Sequence, residues 1–372
     1  MKIRTLACSR ELPNYAPVLC AVAFMISGRA LADARDWPLL GPLQIRNLSP
    51  FSLLRMDFMP PPAAAGLQQG WSVGAQFTHA NIYVLDANAE AYLEQRNSRT
   101  PLSQQDVQGL LATRRDLYYF DGSVTSLDLS ARYMLNKHWA GYVDLPLLYY
   151  SGGFSDDIIE DFHHTFGYGT AGRDLVAQDQ YQVVIRSGDD SLVLLHAPSG
   201  VQVGDPVLGV RYTLEFARDG FAILEGAVKV PIGSVDNYVS SGAVDYGVQL
   251  SLQKQFGRHG LYLSLSDVRI GDPDRFPNAL KDQVPEATVA YEFGFTPHTA
   301  AILQASFSST AFKQGNIGLS PIEHLASLGV RHHFNNVALD LALTENFGAY
   351  DNTPDIGLSF GAIWMLPADP VE

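Results

Sequence analysis

GDPVLGVRYTLEFARDGFAILEGAVKVPIG, residues 204–233, changes character at every second position. Leu208, Val210, Tyr212, Leu214 and Phe216 are apolar, with Gly209, Arg211, Thr213 and Glu215 between them. After Arg218-Asp219-Gly220 the return run places Ala222, Leu224, Val228, Val230 and Ile232 on one face, with Glu225 and Lys229 on the other. A period of two is that of a β-strand, and Asp-Gly between two such runs marks a hairpin. A single hairpin of this kind suits a soluble core as well as a bilayer. The number of repeats and the compartment decide between them.

The compartment is written at the start of the chain. Lys2, Arg4 and Arg10 precede an apolar run from Ala16 to Ile26 and the triplet Ala30-Leu31-Ala32. This predicts a cleavable signal peptide over 1–32, and the run is too short to span a bilayer in the mature protein. Cys8 and Cys20 both fall inside it, neither in a Leu-x-x-Cys lipobox. The mature chain then has no cysteine, which excludes thiol nucleophiles, disulfides and Cys-ligated metals. Removing four basic residues and one acidic residue from 25 Lys+Arg and 39 Asp+Glu leaves 21 against 38, a net charge of −17. Such a chain is a poor partner for nucleic-acid phosphates. No later segment approaches the roughly 18 apolar residues of a membrane helix. A barrel of the Gram-negative outer membrane stays open, because alternation dilutes its apolar residues.

Similar runs recur from Trp71 to Trp364 and number twelve. Short turns centred on Asn136, Asp219, Arg258, Pro297 and Asn335 alternate with long connections near 86–118, 151–203, 233–242, 271–284, 310–322 and 347–354. Short periplasmic turns, long extracellular loops and an even strand number predict an all-β fold, a transmembrane antiparallel up-and-down β-barrel over 69–366. A β-sandwich would not alternate its loops in this way. Trp71, Trp139, Tyr149, Phe216, Phe256, Phe295, Phe334 and Trp364 sit at the ends of the runs, where aromatic girdles meet the membrane interfaces. Residues 33–68 are Pro-rich, and Pro60 to Pro62 cannot lie in a central strand. They read as a periplasmic or lumenal segment.

The stretch LPLLYYSGGFSDDIIEDFHHTFGYGTAGR (145–173), the GPLQIRN start at Gly41 and the late PDIGLSFGAIW together resemble a family of uncharacterised proteobacterial outer-membrane barrel proteins. The resemblance covers the mature chain and implies a fold and an address, not an activity. VKVPIGS at 228–234 is similar to the KLPTG hairpin of barrels linked to uptake of aromatic compounds, with Val230 and Ile232 replacing two of its letters.

Strand parity assigns Asp128, Arg132, Asp144, Arg211, Glu215, Glu225, Lys229, Asp245, Glu286, Glu292, Arg331 and Asp340 to the lumen, eight acidic against four basic. Arg132 is expected diagonal to Asp144 and Arg211 diagonal to Glu225, within reach of long side chains. Eight-stranded barrels are filled by side chains and porins of sixteen or more are open. Twelve strands therefore predict a narrow pore, favouring cations or neutral solutes. The long loop 151–203 holds Asp157, Glu160, His163, His164 and Arg173, and three readings of it compete. It is a solvated acidic loop, a cap tied to the barrel by Arg173 and a carboxylate, or a metal or catalytic site. Lipid hydrolases occur among twelve-stranded barrels and need an outward Ser and His near the outer interface. His332 is the lipid-facing histidine beside a turn, but at the periplasmic end. The reading that follows is a passive channel for small hydrophilic or amphipathic solutes with no cofactor or metal. Its expected partners are outer-membrane lipids, lipopolysaccharide, a small solute and the barrel-assembly machinery. A structural or adhesive barrel and an enzyme with a site in loop 151–203 are the alternatives.

Overall fold

Inside a bilayer every backbone N–H and C=O must be satisfied within the protein, so alternating strips close on one another. A computed structural model describes residues 37, 39–66, 69–96, 98–113, 116–154, 156–167, 172–313, 319–348 and 352–367. The predicted signal peptide lies outside the described residues.

Fifteen strands are described. In chain order they are β1 (Gly70–Leu85), β2 (Asp116–Met134), β3 (Trp139–Ser151), β4 (Gln182–Ser187), β5 (Asp190–Leu194), β6 (Gln202–Val203), β7 (Val207–Ala217), β8 (Gly220–Lys229), β9 (Asp245–Phe256), β10 (His259–Arg269), β11 (Gln283–Thr296), β12 (Thr299–Ser309), β13 (Ile322–Phe334), β14 (Val337–Asn346) and β15 (Ile356–Pro367). All but β4, β5 and β6 form the barrel, each antiparallel to its sequence neighbours. Pairing of β1 with β15, from Gly70 opposite Pro367 to Asn81 opposite Ile356, closes it. Those twelve strands are the twelve runs of the sequence. Asp219 and Asn335, in two of the short turns, take φ of 57° and 50°, a conformation Asp and Asn tolerate well.

The outward face is apolar: Leu328 is 62% exposed, Leu303 57% and Leu224 57%. A belt of this kind needs lipid around it. Trp71, Trp139, Phe295, Phe334 and Trp364 stand exposed near its periplasmic edge. Trp71 packs 4.8 Å from Tyr133 and Trp139 4.7 Å from Tyr212.

Above the belt, β1 and β2 continue well past their neighbours. The β4–β5 hairpin adds to the edge of β2 with Asp116 opposite Ser187 and Asp121 opposite Gln182. The connection after β1 folds into α1 (Ala87–Arg96) and α2 (Gln104–Thr113). Asp86 Oδ1 accepts from the amides of Asn88 (2.6 Å) and Ala89 (2.9 Å), capping α1. Ser103 and Asp106 cap α2 reciprocally. The loop after β3 forms α3 (Asp156–Phe166).

Candidate functional site

Residues 39–66 occupy the lumen. They enter from the periplasmic side, turn at a 3₁₀ helix, Pro50–Leu54, and run back beside themselves to β1. The two legs hold each other: Ala63 N donates to Leu40 O (2.9 Å) and Asn47 N to Asp57 Oδ2 (2.8 Å). Gly41, with φ of 95°, lets the legs touch, since a Cβ there would lie 2.5 Å from Ala63 N. A non-strand segment in a barrel must bond to the wall, and inward side chains supply the partners.

Arg46 Nε meets Asp128 Oδ1 at 2.6 Å. Arg55 reaches Glu286 at 2.5 Å and Ser308 Oγ at 2.8 Å. Glu292 accepts from Gly41 N (2.8 Å) and Leu40 N (3.3 Å), and Asp245 from Met56 N (2.8 Å). Glu323 accepts from Asn47 Nδ2 and Ser52 Oγ at 2.7 and 3.0 Å. From the wall, Arg331 donates to Gly41 O (2.7 Å), Lys229 to Leu54 O (3.2 Å) and Arg132 to Gln44 Oε1 (2.7 Å). Gln253 and Gln304 bond to the backbone of the segment at Ala64 and Leu43.

Other lumen charges pair within the wall. Arg331 binds Asp340 through Nε (2.6 Å) and Nη2 (3.0 Å). Lys229 Nζ lies 3.0 Å from Asp205 and 3.1 Å from Asp245. Arg211 Nε is 2.6 Å from Glu225 Oε2, and the guanidinium lies 4.3 Å above the Tyr142 ring. Asp144 is buried two positions along from Tyr142, whose register partner is Arg132, as the diagonal expectation requires.

Two expectations are corrected here. Arg211 is directly opposite Glu225, not diagonal to it, because a bulge between Glu215 and Ala217 shifts the register of β7. Glu215, beside that bulge near the periplasmic end of β7, is exposed, not buried with the lumen row. The acidic row, expected to line a narrow pore, is apart from Asp144 engaged with basic side chains and with the amides of 39–66.

At the outer end the apex ring, Phe51, is enclosed by Tyr118, Phe312 and the outer loops. Arg173 locks that cap. It donates to Asp156 (2.5 Å), Asn81 (2.5 Å) and Asp355 (3.0 Å), and its guanidinium lies 4.8 Å above the Tyr83 ring. Burial works against the Arg173 cation, but Asp355 and Asp156 more than offset it and hold its pKa above the ordinary arginine value.

A family model matches residues 20–364. The chain belongs to the family Protein of unknown function (DUF3187). No curated protein matches it. Among solved structures it is similar to the COG4313 outer membrane channel from Pseudomonas putida F1, with 13% identity and a TM-score of 0.48 over 81% of this chain and 97% of that one. It is similar to the NanC porin at 7% identity and a TM-score of 0.40, covering 80% and 100%. The Pseudomonas putida toluene transporter TodX gives 8% identity and 0.37, covering 89% and 98%.

The loop candidates are not gathered at one point. Glu160 bonds to Arg99 and, at 3.1 Å, to Gln178. Asp157 and His164 point to solvent, and the His163 side chain lies outside the described residues. Among the described residues no group of three His, Asp or Glu is placed to hold a metal. His332 Nδ1 bonds to Thr299 Oγ1 at 2.9 Å, at the periplasmic turn. The pentapeptide Gly357-Leu358-Ser359-Phe360-Gly361 spells a hydrolase-like G-x-S-x-G, a motif that the reading of the sequence takes to be absent. It lies inside β15, not on a strand-to-helix elbow, and Ser359 Oγ donates inward to Thr78 Oγ1 at 3.2 Å.

Two cavities flank the lumenal segment. One of about 60 Å³ is walled by Ser264, Ser266, Thr288, Ser306, Ser327 and Thr344. The other, about 50 Å³, lies among Pro61, Pro62, Arg132, Tyr142, Arg211 and Thr213. Each has room for a few waters. Sequence reasoning missed Gln253, Gln304 and Glu323 as partners of 39–66. The signal available was Arg46 and Arg55, two cations in a mostly apolar, Pro-rich stretch.

Proposed function

We propose that this protein is an outer-membrane channel for small hydrophilic or amphipathic solutes, held shut by its own residues 39–66. The observation that carries the reading is the chemistry of the contact. The segment is bound through side chains and single amides, not through a strand ladder. Water can replace such bonds one at a time, so withdrawal does not break the barrel. Withdrawal would free Asp128, Asp245, Glu286, Glu292 and Glu323 from their partners in the segment. The opened lumen is then net acidic and prefers cations over anions. Export through the predicted signal peptide, insertion by the barrel-assembly machinery and contact with lipopolysaccharide complete this reading.

Planar-bilayer conductance of the full chain against a variant lacking 39–66 tests it. The deletion variant should conduct steadily, with cation preference, and the full chain should be closed or flicker. A deletion variant that folds as a barrel and passes no current overturns the channel reading and leaves a structural barrel. The sealed lumen is the observation favouring that second reading.

A further inference from the structure

Phe51, at the tip of the lumenal segment, is 1% exposed. Its ring stacks on Phe312 with centroids 4.6 Å apart and planes 29° apart, and lies 4.6 Å from Tyr118. Phe120 stands beside Tyr181 and Tyr238, and Tyr150 beside Tyr181. Among the described residues, the hydroxyls of Tyr118, Tyr181 and Tyr238 have no hydrogen-bond partner, although these residues are 0%, 4% and 1% exposed. Glu323 is the same on one side: Oε2 accepts from the segment and Oε1 has no partner. Buried polar groups are normally satisfied. Tyr118 touches the Phe51 ring, and Tyr181 and Tyr238 belong to the same buried cluster; a phenyl ring offers none of these hydroxyls a partner.

We propose that the seat of Phe51 is a binding site for a small monocyclic aromatic molecule that carries a hydroxyl, and that Phe51 is its internal substitute. A phenolic ring matches the Phe312 and Tyr118 faces as Phe51 does. It also brings a group that can pair with the tyrosine hydroxyls, which gives it an advantage over Phe51 in the same place. Only one ring fits, so binding expels the tip of the segment and weakens closure of the lumen. Linkage makes the converse hold: whatever withdraws the segment raises affinity for the ligand. The proposal rests on the plugged-channel reading and specifies what that channel answers to.

The mature chain has no cysteine once residues 1–32 are removed, so a single thiol can report on the segment. Ser49 is fully buried and its Oγ is unpartnered, which makes Ser49→Cys a mild reporter. Maleimide labelling of Ser49→Cys should accelerate several-fold and saturably with p-cresol, and not with cyclohexanol of similar size. In the unmodified protein p-cresol should shift thermal unfolding where cyclohexanol does not. Adding Phe51→Ala vacates the seat, so p-cresol should then bind without accelerating labelling. Labelling and unfolding that ignore p-cresol, or that respond equally to cyclohexanol, overturn the proposal. If the variant lacking 39–66 conducts while p-cresol has no effect, the ligand site fails and the channel stands. A closed deletion variant fails the channel reading instead, and the thermal shift still reads the seat.

Discussion

Arg46 Nε and Asp128 Oδ1 stand 2.6 Å apart with both side chains buried, one on the lumenal segment and the other on the barrel wall. The pair ties a piece of chain with no regular structure to β2 across 82 residues of sequence. Removing one member strands a charge, whereas removing both does not. Arg46→Ala should therefore weaken docking of the segment by about 3–5 kcal/mol. The double variant Arg46→Met with Asp128→Leu should lose much less. Single-channel recording reads the difference as the frequency of openings. Equal leak from the single and double variants would show that the pair does not hold the segment.

The lipid face and the lumen face separate at neighbouring residues. Leu250 is 44% exposed on the outside, while Gln249 is buried and donates to Met59 O at 3.4 Å. Leu250→Arg should reduce barrel stability by about 2–4 kcal/mol if the position lies near the midplane. Gln249→Arg should insert normally and disturb the segment at Met59, appearing as leak and not as lost folding. Heat-modifiable gel mobility and conductance together distinguish the two. A folding defect in both would misplace the faces.

Selectivity should be visible only in the open form. In the variant lacking 39–66, Asp245→Asn with Glu286→Gln and Glu292→Gln should lower the cation-to-anion permeability ratio toward unity. Reversal potentials in a salt gradient measure this. An unchanged ratio would place selectivity elsewhere.

The outer cap should depend on one guanidinium. Arg173→Ala leaves Asp156, which is buried, without its cation, and should destabilise the cap by about 3–5 kcal/mol. Arg173→Lys should rescue little, since an ammonium cannot spread over Asp156, Asn81 and Asp355 as a planar fork does. Limited proteolysis of intact cells within 151–203 reports the loss. Full protection in Arg173→Ala would remove this residue from the account.

The membrane strands were legible because lipid on one side forces a period of two, and the runs from Trp71 to Trp364 follow it apart from the bulge in β7 and the charged Asp267 and Arg269 at the end of β10. The cap was less so. Helices α1 and α2 fall in a connection read only as long, although Asp86 and Ser103-x-x-Asp106 are capping signals in plain view. The inward residues of the site could be named by parity, as Asp128, Lys229, Asp245 and Arg331 were. Their partners could not, because they belong to a segment without periodicity and far away in sequence. The bulge that sets Arg211 opposite Glu225 has no glycine or other mark to announce it.

Residues 39–66 leave the lumen on the side by which they entered, and this shapes the order of assembly. Their anchors, Asp128, Asp245, Glu292 and Glu323, stand on β2, β9, β11 and β13, and the bond from Arg331 to Gly41 spans 290 residues. No complete surface exists for the segment until the strands have joined, and contacts of such separation form late. A hairpin entering from one end needs no threading, so docking can be the final step of maturation. Each newly inserted copy therefore passes through an interval with its wall complete and its lumen empty. On the proposed channel reading, a cell making this protein faces a brief leak whose size scales with the rate of synthesis, not with the number of mature copies.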